Sequence, residues 1–285
     1  MRFPKNKERV GKTRTKYEQK RKMTKENSQK LIKILFQGWK KRNRCCIIWV
    51  VYGMEAMSMA LVTALFTKHN IVLAADGCLH AFAKRDSASM PEPLIRHGAK
   101  LIFACPNHAA LAFVGTAAYN GEPVEEAIRN LIENRIRPDS SLEDMSWMVM
   151  DHFGAAPPKI SVLLARMEEG TPKLSKLHLD SRKVELVGTG KPGLTWIGEG
   201  SVLNRLLANG YTRGADGEEI PLAPAALPWG MMNNREAAEL SAFLINTSAT
   251  YAKFRVGIPL VEEASDILVL GESGMQWRMK NKKEL

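Results

Sequence analysis

Two apolar runs joined by a three-residue polar turn constrain this chain more than anything else in it. Ala60-Leu61-Val62-Thr63-Ala64-Leu65-Phe66-Thr67 reads as a strand. Lys68-His69-Asn70 breaks it, and Asn tolerates the left-handed backbone such turns use. Ile71-Val72-Leu73-Ala74-Ala75 returns as a second strand and stops at Asp76-Gly77. Neither run has the polar alternation of a half-wet strand, so the hairpin needs cover on both faces.

The elements after it say what supplies that cover. A loop with Pro91 and Pro93 is expected over Leu79 to Gly98. Lys100 to Ala104 and Ala109 to Val114 form a second strand pair around Pro106-Asn107, closed by Gly115. Pro123 opens a helix over Val124 to Ile136, in line with the preference of proline for helix starts. Ser141 caps Leu142 to Phe153, with Glu143 and Asp144 in the first turn, where the helix dipole favours acids. Met145, Met148 and Val149 recur at helical spacing and form a core face.

A second block of strands covers Lys159 to Arg166, Leu174 to Leu179, Lys183 to Val187 and Leu194 to Ile197. Gly200-Ser201 opens a helix to about Ala208. A Pro/Gly/Ala-rich loop spans Tyr211 to Trp229; its Leu222, Leu227 and Trp229 suit either an interface or packing on their own domain. Asn234 to Lys253 is the longest helix, and Ile267 to Leu270 a closing strand.

Strands and helices come in blocks and do not alternate one by one, which argues against a Rossmann-type parallel sheet. The expected class is α+β: a four-layer αββα sandwich of two antiparallel sheets flanked by helix pairs. Gly188-Thr189-Gly190-Lys191-Pro192-Gly193 matches GxGxxG, but a strand and not a helix follows it. A dinucleotide site needs the helix N-terminus there, so the stretch reads as a turn.

Charge divides the chain. Net charge is +11, yet residues 1–44 hold 17 Lys/Arg against 3 Glu, and the rest holds 24 Lys/Arg against 27 Asp/Glu. The body gives no electrostatic reason to bind nucleic acid. Residues 1–30 have no apolar period and are expected to be disordered, and residues 31–39 suit a short amphipathic turn. From Cys45 to Phe66 only Glu55 is charged, long enough for a membrane span on length alone. A charge near mid-helix costs about 2.5–3.5 kcal/mol on insertion scales. The second half of the run is also needed for the hairpin, so no anchoring is expected. Residues 1–53 are read as a basic extension, disordered or non-native, with translation starting at Met54, Met57 or Met59; residues 54–285 are the domain. Cys45, Cys46, Cys78 and Cys105 form no CxxC pair and read as buried or free thiols of a reducing, cytoplasmic setting. The six histidines show no paired spacing, so neither metal nor other cofactor is expected.

Ala60 to Gly77, with Ile71 to Asp76 at its centre, resembles the opening hairpin of proteasome β-type subunits, members of the N-terminal-nucleophile hydrolase superfamily. Lys100-Leu101-Ile102 through Ala112-Phe113-Val114-Gly115 resembles the family's next block. Trp196-Ile197-Gly198-Glu199-Gly200-Ser201 resembles its later turn into a helix. The likeness covers roughly residues 58–275.

The resemblance implies the N-terminal-nucleophile hydrolase fold, peptide or protein substrates and self-association into rings. It implies a mechanism in which an N-terminal hydroxyl attacks a peptide carbonyl with its own α-amine as base; an α-amine pKa of about 7.7–8.0 suits that role. Carried over residue by residue, Asp76 takes the carboxylate role, Lys100 the lysine role and Gly115 the oxyanion role. The ungapped nucleophile position is Ala60, which cannot attack. Ser58 lies on the same strand face, two residues earlier, and would become N-terminal if Met57 initiates and is removed. Thr63 is set aside, since it sits inside the strand. The family's late Asp and Ser fall near Lys253 to Gly257, where only Gly257 fits, and Glu199 stands at a usual serine position. Two readings follow: a hydrolase that uses Ser58, or a silent subunit that keeps the fold.

Overall fold

The computed structural model describes residues 60–83, 92–120, 122–154, 158–188, 190–207, 211–213, 219–221, 227–255 and 261–279. All belong to one unit, Glu55–Leu285. The basic extension, Cys45, Cys46 and Ser58 lie outside the described residues, as does Gly257.

Strand β1 (Leu61–Phe66) turns at Thr67 to Asn70 into β2 (Asn70–Asp76), with Val62 paired to Ala75. The turn is closed by the Thr67 hydroxyl, which accepts from the N–H groups of His69 and Asn70. Next come β3 (Cys78–Ala83) and β4 (Glu92–His97), a hairpin where the sequence suggested only a loop. The two prolines fall in or beside β4, and this two-stranded piece stands outside the large sheets, where a missing N–H is tolerated. Strands β5 (Ile102–Cys105) and β6 (Ala109–Gly115) follow as expected, then the short pair β7 (Ala118–Tyr119) and β8 (Glu122–Pro123).

Helix α1 (Val124–Asn134) starts directly after Pro123, and helix α2 (Leu142–His152) after Ser141. Ser141 accepts from the Asp144 N–H while Asp144 accepts from the Ser141 N–H, a reciprocal cap that satisfies two orphan donors. Strands β9 (Ile160–Glu168), β10 (Thr171–His178), β11 (Lys183–Val187) and β12 (Gly193–Gly198) form the second block. The glycine-rich stretch before β12 runs into a strand. Helix α3 (Ser201–Leu207), the small pair β13 (Tyr211–Arg213) and β14 (Glu219–Pro221), and helix α4 (Asn234–Lys253) come next. The closing strand β15 (Ala264–Gly271) is extended by β16 (Gly274–Met279), which the sequence reading missed.

Two five-stranded antiparallel sheets result. The first runs β12-β1-β2-β15-β16 and the second β11-β10-β9-β6-β5. Side-chain alternation explains how they stack. Val62, Ala64, Phe66, Ile71, Leu73 and Ala75 join one core with Leu111, Phe113, Val162 and Leu164 of the second sheet. Leu61, Leu65, Val72 and Ala74 point the other way and pack with Leu203 of α3 and Ala237, Leu244, Ile245 and Ala249 of α4. Helix α2 lies on β9 and β10, with Met145 and Val149 buried. The molecule is α+β, with two antiparallel sheets and four helices among the described residues, an arrangement compatible with the expected sandwich. None of those helices is long and apolar enough to cross a membrane.

Candidate functional site

One end of the first sheet collects ionisable groups. Strand β1 begins there, β2 ends there, and the chain entering β15 crosses beside them. The β2–β15 register runs Asp76 to Ala264 and then shifts, so that Ala75 faces Asp266. The shift leaves Ser265 in a bulge, a device that re-aims the backbone at a sheet end. Gly77 lies against that bulge: a Cβ on it would come within 3.0 Å of the Ser265 hydroxyl.

Asp76 is fully buried at this point. Its Oδ1 accepts from the Leu61 N–H at 3.1 Å and its Oδ2 from the Glu262 N–H at 3.1 Å. The carboxylate therefore ties the start of β1 to the segment that enters β15. Burial raises its pKa well above the ordinary carboxylate range, and the charge of Glu262 adds to the rise. The N–H groups of Leu61, Glu262 and Cys78 act in the opposite direction and do not cancel it.

Ala60 stands at the start of β1, buried, with its carbonyl accepting from the Glu199 N–H at 2.9 Å. Gly198, at φ +93°, allows that approach; a Cβ there would collide with the Ala60 carbonyl. The Glu199 side chain is mostly covered and lies 3.7 Å from Arg255 Nη1. Lys253 meets Glu263 at 3.2 Å. The end of α4 and Arg255 just beyond it thus bring two cations to two acids.

Lys100 donates its backbone N–H to Glu125 Oε1 at 3.2 Å, and its ammonium sits 5.3 Å from the centre of the Phe103 ring. Gly115 ends β6 at φ +135°, facing Ile160, and a Cβ would collide with the Lys159 carbonyl. Only glycine suits that backbone. Asp76 thus ends β2 bonded to the start of β1, and Gly115 ends β6. Ser58 lies outside the described residues.

Sequence reasoning missed a neighbouring group. Cys78 opens β3 and His97 ends β4, and the two are directly paired in register. Paired residues project to one face, so thiol and imidazole share a side of the hairpin. Glu262 arrives there because its N–H is held by Asp76. Ligand atoms of Cys78, His97 and Glu262 lie within 4.8 Å of one another, and His97 Nδ1 touches Glu262 Oε1. Cys78 is buried, His97 exposed and Glu262 half-exposed. Burial pushes the Cys78 thiol up to about 12, with the acids Asp76 and Glu262 adding to the rise. Cys78 is thus a neutral thiol and no activated nucleophile. His97 and Glu262 stand 165 positions apart, so no local spacing announces the cluster.

No protein-family model matches this chain, and no curated protein matches it in sequence.

Proposed function

We propose that this chain is a proteasome-like subunit with the four-layer αββα sandwich of N-terminal-nucleophile hydrolases, acting on peptide bonds through Ser58 once processing frees its amine. The observation that carries the reading is the buried carboxylate of Asp76, locked under the start of β1. A group in that place orders the strand from which an N-terminal nucleophile would project. The Ser58 hydroxyl would attack the carbonyl, its α-amine would take the proton, and the Gly115 N–H would receive the oxyanion. Exposed Trp147 on α2 and Phe243 on α4 offer apolar surface for the self-association that this reading includes.

The intact mass of the chain purified from its source tests the proposal. A mature chain that begins at Ser58 supports it; one that retains any residue before Ser58 overturns it.

A second reading, a silent subunit with an assembly or binding role, is favoured by Ala60, which carries no hydroxyl, at the strand start. Covalent labelling of the N-terminal residue by an electrophilic peptide inhibitor would exclude that alternative.

A further inference from the structure

We infer that Cys78, His97 and Glu262 form a binding site for one divalent transition-metal ion of the zinc class. Three separate segments deliver one donor each: the start of β3, the end of β4 and the approach to β15. The donor set is a sulfur, an imidazole nitrogen and a carboxylate oxygen. Thiolate selects against magnesium and calcium, and the mixed S, N, O set suits zinc, which binds these ligands at about 2.0–2.3 Å.

The geometry is close to what an ion needs. Tetrahedral ligands at those bond lengths stand roughly 3.3–3.8 Å apart. The donor atoms here already lie within 4.8 Å of one another. Two of the three can move, since the His97 side chain is 62% exposed and that of Glu262 34% exposed. An ion entering between them replaces the contact of His97 with Glu262 by two metal bonds. The buried Cys78 supplies the fixed point, and it loses its proton to solvent on binding.

Outer support is already present. Asp76 Oδ2 accepts from the Glu262 N–H, holding the backbone of that ligand. Antiparallel pairing holds the other two across one rung. Three protein ligands with an exposed imidazole leave a fourth position open to water, the pattern of reactive and not of purely structural zinc sites. The site is independent of the N-terminal nucleophile, so it stands or falls apart from the proposed peptide hydrolysis.

The test uses the full-length, tag-free chain, stripped with a chelator and titrated with Co2+ and Zn2+. One Zn2+ retained per chain after gel filtration, with a thiolate-to-cobalt charge-transfer band for the Co2+ form, is expected. Cys78→Ser should abolish the band. His97→Ala, a change at an exposed side chain that leaves the core intact, should weaken Zn2+ binding by more than about 10-fold, a loss that even outer partners produce. A Cys45→Ser/Cys46→Ser double variant should keep the band. No ion retained by the wild-type chain, a band that survives Cys78→Ser, or Zn2+ affinity unchanged in His97→Ala would overturn the inference.

Discussion

The two five-stranded sheets share strand number and antiparallel sense, yet they are built from different material. In the second sheet, β6 is buried from Ala109 to Val114, and β9 contributes Val162, Leu163, Leu164 and Ala165. Its buried polar residues, among those described, are Arg166 and Ser175. The first sheet buries Thr63, Asp76, Thr195 and Asp266. A buried polar group costs stability unless it is satisfied, and the Asp76 carboxyl of the first sheet is satisfied by two backbone donors. The second sheet is the more uniformly apolar of the two, and the first holds buried Asp76 at its open end.

The sharpest way to break that contrast is to damage the more apolar sheet. Phe113→Ala removes a fully buried ring from the second sheet and should cost about 3–5 kcal/mol in urea unfolding. A cost as small as that of changes in the first sheet would erase the contrast. Next, Gly115→Ala forces a side chain onto a backbone at φ +135° against the Lys159 carbonyl. About 3 kcal/mol of destabilisation is expected from strain alone, read by the shift in the unfolding midpoint.

The opening hairpin, the two sheet blocks and the long helix could be read from the sequence because their apolar runs are unbroken and their ends punctuated. Lys68-His69-Asn70 marks a turn, and Asn233 with Glu236 closes the start of α4. The β3–β4 hairpin was hidden because Pro91 and Pro93 mimic a loop. Strand β16 was hidden because Gln276, Arg278 and an exposed Met275 give it little apolar pattern. The metal cluster was invisible because register and one carboxylate–N–H bond create it, and neither leaves a local trace. Of the site, Asp76 was legible through its place at the end of an apolar run. The hydrogen bond from the Lys100 N–H to Glu125 spans 25 positions and was not.

Asp76 offers a subtler test. Asp76→Asn keeps the shape but leaves one of two buried N–H groups facing an amide NH2, at a cost of about 1–3 kcal/mol in acid. The folded carboxyl titrates above its ordinary 3.8, so the folded chain holds a proton that the unfolded chain has released. The stability from Asp76 is therefore full below the ordinary carboxylate range and declines as pH rises toward the folded value. Unfolding midpoints measured from about pH 3 to about pH 8 should show the gap between wild type and variant narrowing. A gap that widens with pH would reverse the assignment.

The smallest effect has the opposite sign. The Thr63 hydroxyl is buried without a hydrogen-bond partner among the described residues. Thr63→Val has the same shape and should stabilise the chain by about 1 kcal/mol, seen as a later urea midpoint. Destabilisation would mean that the hydroxyl is satisfied.

The position of β1 has a mechanical consequence. It is an interior strand, zipped to β12 on one side and β2 on the other, and its first carbonyl is clamped by the Glu199 N–H. A force applied through the residues before Ala60 meets two hydrogen-bond ladders at once. Tugging on that end would load both ladders together, whereas β16 is held by one, so the chain should resist extraction from its front better than from the β16 margin.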